Sequence, residues 1–105
     1  MKEIEFGSVI FYVGQNCLEN DKLFMSMSEN SLWFHLDSQS SSHVYCVVKE
    51  NKKLSKEEMR TIIKKGGELV RIWSKKTGKV MYIKKCKLKR VGPGIVEILE
   101  DPKYT

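Results

Sequence analysis

An amphipathic helix predicted over residues 55–75 is the feature of this sequence that most constrains the fold. It begins with a capping box, in which the Ser55 hydroxyl accepts from a free backbone N–H and the Glu58 side chain reaches back to the cap. Gly66 lies within the apolar face, although glycine costs about 1 kcal/mol against alanine in a helix. A close approach of the helix to a sheet at Gly66 is the expected compensation, and Thr77-Gly78 is predicted to end the element. At about 100° per residue the apolar face covers an arc of roughly 120°, and it consists of Met59, Ile62, Ile63, Gly66, Leu69, Val70 and Trp73.

The remaining apolar segments are short and predict a β-sheet. Apolar residues on either side of Gly7-Ser8 predict a hairpin. Asn16 is a predicted N-cap for a short helix over about residues 17–25, with Leu18, Leu23 and Met27 available to pack. Further strands are predicted at 32–36, 44–48, 80–83, 86–91 and 95–99, before a polar tail. The expected fold is a single α+β domain over residues 1–105, with a mostly antiparallel mixed sheet covered by one long helix and one short helix.

Positive charge is confined to one half of the chain. Residues 1–48 contain two Lys/Arg against six Asp/Glu, whereas residues 49–105 contain seventeen against seven. Such a distribution is typical of a domain that binds a polyanion, and a merely solvated lysine-rich surface is the alternative. Five cations share an arc of roughly 100° beside the apolar face of the long helix: Lys56, Arg60, Lys64, Arg71 and Lys75. On the predicted strand 86–91, side chains on one face would form a lysine ladder at a spacing of about 7 Å, made of Lys85, Lys87 and Lys89.

The three cysteines and the two histidines suggest different roles. The cysteines are odd in number and widely spaced, so we expect buried reduced thiols rather than a disulfide framework or a zinc site. The histidines, His35 and His43, lie on either side of a loop rich in small hydroxyls. Strand alternation places Trp33 and Phe34 on opposite faces of the sheet. We expect both to pack in the core, with stacking on an unpaired base as the alternative for one of them.

Targeting signals are not evident in the sequence. No apolar run approaches the roughly 18 residues that would span a bilayer, and the first residues lack a signal-peptide pattern. We therefore expect no membrane span and a cytoplasmic location, with the nucleus as the alternative.

A set of short motifs occurs in a fixed order along the chain: Gly14-Gln15-Asn16, Asn20-Asp21, Leu32-Trp33-Phe34-His35, Ser42-His43-Val44 and Pro93-Gly94-x-Val96. This ordered set resembles the NFACT-R domain, also called DUF814. The resemblance covers about residues 6–99 and implies the RNA-binding part of ribosome-quality-control factors, which engage the large ribosomal subunit and tRNA. The serine-rich segment before His43 is more similar to the standalone branch, exemplified by proteins like coiled-coil domain-containing protein 25. Two positions depart from the family pattern: Ser31 replaces an acidic residue, and Gln15 replaces an arginine.

These observations favour an RNA-binding module for tRNA or ribosomal RNA, associated with ribosomes and acting through the basic helix and strand. A DNA-binding or protein-interaction adaptor is the alternative, and a small metal-dependent or acid–base enzyme using His35, Asp37 and His43 is a weaker one. We predict no catalytic residue, cofactor or metal, and the sequence leaves the oligomeric state open. The motif residues are predicted to form a polar site beside the cations, consisting of Gly14, Asn16, Asn20, Asp21, Trp33, His35, Ser42 and His43.

Overall fold

A six-stranded antiparallel sheet lies at the centre of the protein in a computed structural model, which describes all 105 backbone positions and every side chain except that of Asn51. The strand order is β1-β2-β4-β3-β5-β8, and β6 and β7 form a separate hairpin. The predicted α+β class is confirmed. In chain order the elements are β1 (Lys2–Phe6), β2 (Val9–Gly14), α1 (Cys17–Ser26), β3 (Leu32–Leu36), β4 (His43–Val48), a 3-10 turn (Lys49–Asn51), α2 (Lys56–Ser74), β5 (Val80–Lys84), a 3-10 turn (Lys85–Lys87), β6 (Leu88–Gly92), β7 (Ile95–Ile98) and β8 (Lys103–Tyr104).

Helix α2 covers one face of the sheet as its periodicity predicts. Its capping box is present, with the Glu58 N–H donating to Ser55 Oγ at 3.0 Å and the Ser55 N–H donating to Glu58 Oε1 at 3.1 Å. The helix ends at Ser74, earlier than predicted, because Lys75 adopts a left-handed conformation with φ 54°. The apolar face packs on strands β2 to β5 through buried Ile62, Leu69 and Val70 and half-buried Ile63 and Trp73.

Gly66 brings α2 into direct contact with the ring of Phe34 on β3. A Cβ atom built on Gly66 would lie 2.5 Å from ring carbons of Phe34, well inside van der Waals contact. The absence of a side chain therefore sets the distance between the helix and the sheet, as the sequence predicted. Phe34 is fully buried by this contact.

The opposite face of the sheet is covered by α1 and the β6–β7 hairpin. Trp33 and Tyr45 point to this side and pack with Leu23 of α1 and Leu88 of β6. Trp33 is only 2% exposed, so core packing of both predicted aromatic residues is confirmed and neither ring is available to stack on a base. Leu18, which was expected to pack, is 65% exposed and this prediction is wrong.

The predicted lysine ladder does not exist. Residues 85–87 form a 3-10 turn, and strand β6 begins only at Leu88, so the three lysines share no strand face. Lys85 is 6% exposed and its ammonium donates to Glu29 Oε1 at 2.9 Å and to the Met27 carbonyl at 3.0 Å. Lys87 pairs with Glu100 at 3.1 Å, whereas Lys89 is exposed. The ladder does not form because contacts with the distant segment around Glu29 hold these residues in a turn instead of a strand.

The segment predicted as a polar tail contains strand β8, which pairs with β5 at the sheet edge. Arg71 of α2 fixes this end of the chain, because its guanidinium donates to the carbonyls of Gly78 and Thr105, each at 2.9 Å. The predicted burial of the cysteine thiols is confirmed for Cys46 but wrong for Cys17 and Cys86, which are exposed.

We predict that Gly66→Ala destabilises the domain by about 1–3 kcal/mol, because the added methyl overpacks the contact with Phe34. At an unobstructed helix position the same change would stabilise by about 1 kcal/mol. The measurement is urea unfolding of the wild-type and variant proteins. As a control, Gly66→Ala in a Phe34→Leu background should cost less than in the wild type, because the smaller side chain leaves room. A Gly66→Ala variant more stable than wild type would contradict the contact.

Candidate functional site

A pocket of about 660 Å³ lies where four parts of the chain meet. They are the loop of residues 37–42 between β3 and β4, called the serine loop below, the start of α1, the β6–β7 hairpin and the end of α2. The predicted polar site is largely assembled here, because the ends of β3 and β4 bring their loops to one edge of the sheet. Two motif residues, Gly14 and Asp21, lie outside the lining. The six motif residues that line the pocket are Asn16, Asn20, Trp33, His35, Ser42 and His43.

The hydrogen bonds of the two histidines define their tautomers. The indole N–H of Trp33 donates to His43 Nδ1 at 3.1 Å. An indole nitrogen is only a donor, so a neutral His43 carries its proton on Nε2. His35 Nδ1 lies 2.6 Å from the Leu36 carbonyl, which only accepts, so Nδ1 of His35 carries the proton and Nε2 has a lone pair. The pair therefore offers one donor, on His43, and one acceptor, on His35.

Both histidine rings are held rigidly in this arrangement. The His35 ring stacks on Trp33 at a centroid distance of 5.3 Å, and the rings of His35 and His43 meet edge to face at 4.9 Å. Among the described side chains, the sealed polar atoms without partners are Asn20 Oδ1 and Tyr45 OH. The Nε2 atoms of the two histidines are not among these sealed atoms, and both histidines line the pocket.

Burial keeps the histidine pair uncharged near neutral pH. Removal from water lowers the pKa of His43 to about 3, and the neighbouring His35 acts in the same direction. Burial also lowers the pKa of His35, opposed by its hydrogen bond to Leu36 and reinforced by Lys76. The two histidines, which we call the floor of the pocket, are thus neutral and offer hydrogen bonds rather than charge.

Gly14 and Asp21, the two motif residues outside the lining, contact elements that form the pocket wall. A Cβ atom on Gly14 would overlap Asn20 Oδ1, so the glycine makes room for this asparagine. Asp21 accepts from Arg90 Nε at 2.7 Å and from the Gly94 N–H at 3.1 Å, which holds the β6–β7 hairpin against α1. These two contacts lower the pKa of the Asp21 carboxyl. Asn16 is the N-cap of α1 and accepts from the Glu19 N–H at 2.9 Å, as predicted.

The end of α2 forms part of the pocket wall and is bonded to the loop before His43. The Ser42 N–H donates to Ser74 Oγ at 2.9 Å, and Lys76 Nζ donates to the Ser40 carbonyl at 2.6 Å. Lys76 is the one cation in the lining, which contains no carboxylate among the described residues. Sequence reasoning missed Lys76 because the left-handed turn at Lys75 redirects the chain, so the helical wheel no longer applies there.

The eight predicted nucleic-acid-binding cations separate into three that are engaged with other groups and five that are exposed, of which Lys89 lies apart on β6. Arg71, Lys85 and Lys87 are engaged with backbone carbonyls or carboxylates, as described above. Of the five ion pairs found among the described side chains, none uses the exposed cations of α2. We call Lys56, Arg60, Lys64 and Lys75 the α2 cation row.

Comparisons with known proteins identify the family. A model of the NFACT protein RNA binding domain matches residues 3–97. The chain belongs to the NFACT RNA-binding domain family. The structure is also similar to that of the C-terminal part of the fibronectin/fibrinogen-binding protein from Streptococcus suis, with 33% sequence identity and a TM-score of 0.73. The similarity covers 94% of this chain and 40% of that one, so the chain spans less than half the length of this relative. A comparison with curated proteins gives no match.

Membership in the NFACT RNA-binding domain family confirms the predicted resemblance and supports the prediction of an RNA-binding module. Within the described part of the chain, no group of three or more His, Cys, Asp and Glu side chains is placed to hold a metal ion. His35, Asp37 and His43 therefore do not form the metal cluster that a metal-dependent enzyme would require. Neither helix, as far as the chain is described, has the length and apolar character needed to cross a membrane.

We predict that the NFACT-R domain loses about 2 kcal/mol of its unfolding free energy between pH 7 and pH 5 because of His43. The folded-state pKa of about 3 lies below the unfolded value near 6.5, so the unfolded chain binds the extra proton and stability falls with pH. Urea unfolding at several pH values measures the slope. His43→Gln keeps an acceptor for Trp33 and should show a much flatter slope, with a remainder from His35. Equal slopes in both proteins would contradict a buried neutral His43.

Proposed function

We propose that this domain binds folded RNA, such as tRNA or ribosomal RNA, through the α2 cation row. The observation that carries the proposal is the exposure of these four cations, three on α2 and one at its C-cap, without carboxylate partners among the described side chains. Cations that have no internal partner are free to neutralise phosphates and to release the counterions condensed on RNA.

The length of the row suits a continuous phosphate backbone. Lys56, Arg60 and Lys64 follow one another at about 6 Å along the helix axis, and Lys75 lies about 16 Å beyond Lys64, just past the end of the helix at Ser74. Several phosphates of one strand or stem can therefore contact the row at once. Such contacts position an RNA without reading its sequence.

The position of the row next to the pocket favours folded RNA over other polyanions. The row ends at Lys75, and the preceding residues Trp73 and Ser74 line the pocket. An RNA with stems and unpaired nucleotides, such as tRNA or ribosomal RNA, offers phosphates to the row and exposed hydrogen-bonding groups to the pocket. Duplex DNA keeps its bases stacked and would leave the pocket unused. The Streptococcus suis relative is named for binding fibronectin and fibrinogen, and binding of such proteins is the adaptor alternative.

We predict that replacing Lys56, Arg60 and Lys64 together with glutamine weakens binding to tRNA and makes its salt dependence shallower. Each lost phosphate contact removes about 0.7–0.9 from the slope of log K against log salt, so the triple variant should lose about 2. Fluorescence anisotropy with labelled tRNA at roughly 50–200 mM salt, where this effect is large, measures both quantities. Arg71 is kept, because it holds the chain end and its loss would perturb the fold.

A charge-matched control separates the α2 cation row from net charge. The control replaces Lys22, Lys84 and Lys103 with glutamine. These lysines are exposed on α1, β5 and β8, so the control removes the same charge from other surfaces. This control should bind tRNA nearly as well as wild type. If both triple variants weaken binding equally, the row is ordinary solvated surface.

Crosslinking in cells followed by sequencing of the attached RNA tests the RNA class, and recovery of DNA or protein instead would favour the alternatives.

A further inference from the structure

We propose that the pocket receives the base of one unpaired nucleotide, whose edge forms hydrogen bonds with His43 Nε2 as donor and His35 Nε2 as acceptor. The inference rests on the proposed function, because the α2 cation row brings the RNA to the pocket. It adds a second kind of recognition at a separate set of side chains. The row would supply affinity and the pocket would supply selectivity for unpaired bases.

The donor–acceptor pair fits the edge of a nucleobase. Every nucleobase presents a donor and an acceptor next to each other on its pairing edge, for example the amino group and ring nitrogen of adenine or cytosine. The tautomers fixed by Trp33 and by the Leu36 carbonyl provide the complementary pair. A phosphate would need donors or positive charge at both histidines, which the neutral pair does not offer. A base edge therefore matches the floor of the pocket better than a phosphate does.

The remaining walls suit a flat apolar ring attached to a phosphate. Met81, Val96 and Ile98 line the pocket and supply apolar contacts for the faces of a base. Lys76 at the lining supplies a cation for the phosphate of the same nucleotide, and its Nζ is held by the Ser40 carbonyl. The volume of about 660 Å³ is within the range of roughly 300–1,000 Å³ found for small-molecule sites.

The test uses three RNA hairpins with the same stem. One has a single unpaired nucleotide, the second has an abasic residue at that place, and the third is fully paired. The wild-type domain should bind the first at least about fivefold more tightly than the other two, since a good pair of hydrogen bonds to a base discriminates by about fivefold or more. The abasic hairpin keeps the flexible backbone, so it separates recognition of a base from recognition of a bulge.

The key variant is His35→Phe, which keeps a ring to stack on Trp33 and removes the Nε2 acceptor. It should reduce the preference to less than about threefold and leave the salt dependence unchanged, whereas the α2 triple variant should weaken binding to all three hairpins and keep the preference. Imidazole NMR signals of the wild-type protein provide a reading that needs no variant. The signals of His35 and His43 should shift with the first hairpin and stay in place with the abasic one.

Equal wild-type affinity for the first and abasic hairpins would overturn the inference while leaving the proposed function intact. A preference that survives His35→Phe, with unmoved imidazole signals, would also overturn it. Failure of every hairpin to bind would instead overturn the proposed function, and the inference with it.

Discussion

The contact between Gly66 of α2 and Phe34 of β3 is the constraint on which the rest of the structure depends. Because no side chain separates them, the helix lies directly on the sheet and its apolar face is buried along several turns. The packing of α2 on the sheet fixes the position of both ends of the helix. Ser74 at its end reaches the serine loop through Ser42, and the same rotation turns the cation row toward solvent. One packing contact thus determines the placement of the pocket wall and of the basic surface.

The motif residues shared with the family have structural roles that explain their combination. Gly14 makes room for Asn20, Asp21 fastens the β6–β7 hairpin through Arg90 and Gly94, and Trp33 sets the tautomer of His43. Only some of these groups face the pocket, while the others hold its walls. Asp21 is a clear example, because its carboxylate is fully occupied by protein donors. A motif residue near a site is therefore not by itself a ligand-binding residue.

The sequence predicts those parts of the fold that depend on local periodicity. The capping box at Ser55, the apolar face of α2, the opposite orientations of Trp33 and Phe34 and the cap at Asn16 all depend on neighbours a few residues away. The convergence of His35 and His43 was also predicted, because strands that end together bring their loops together. Features that depend on distant partners were not accessible in this way. The Lys85 ammonium binds the side chain of Glu29, 56 residues earlier, and the strand predicted at Lys85 is therefore absent. Arg71 was placed on the correct helix face, yet its role depends on the carbonyl of Thr105, 34 residues later. A cation in a sequence shows a charge, whereas its availability depends on contacts that only the folded chain defines.

The division between a neutral pocket and a charged row has a physical reason. If His43 were protonated near neutral pH, it would attract any phosphate, and its contribution would be screened by salt like that of Lys64. Burial prevents this by lowering the pKa of His43, so in the proposed complex the group would act through a directed hydrogen bond. Directed bonds to a neutral partner discriminate by geometry, because a misaligned group leaves a buried donor unsatisfied. A domain that attracts RNA by charge can therefore still select among RNAs, provided that the selecting groups are removed from water and remain neutral.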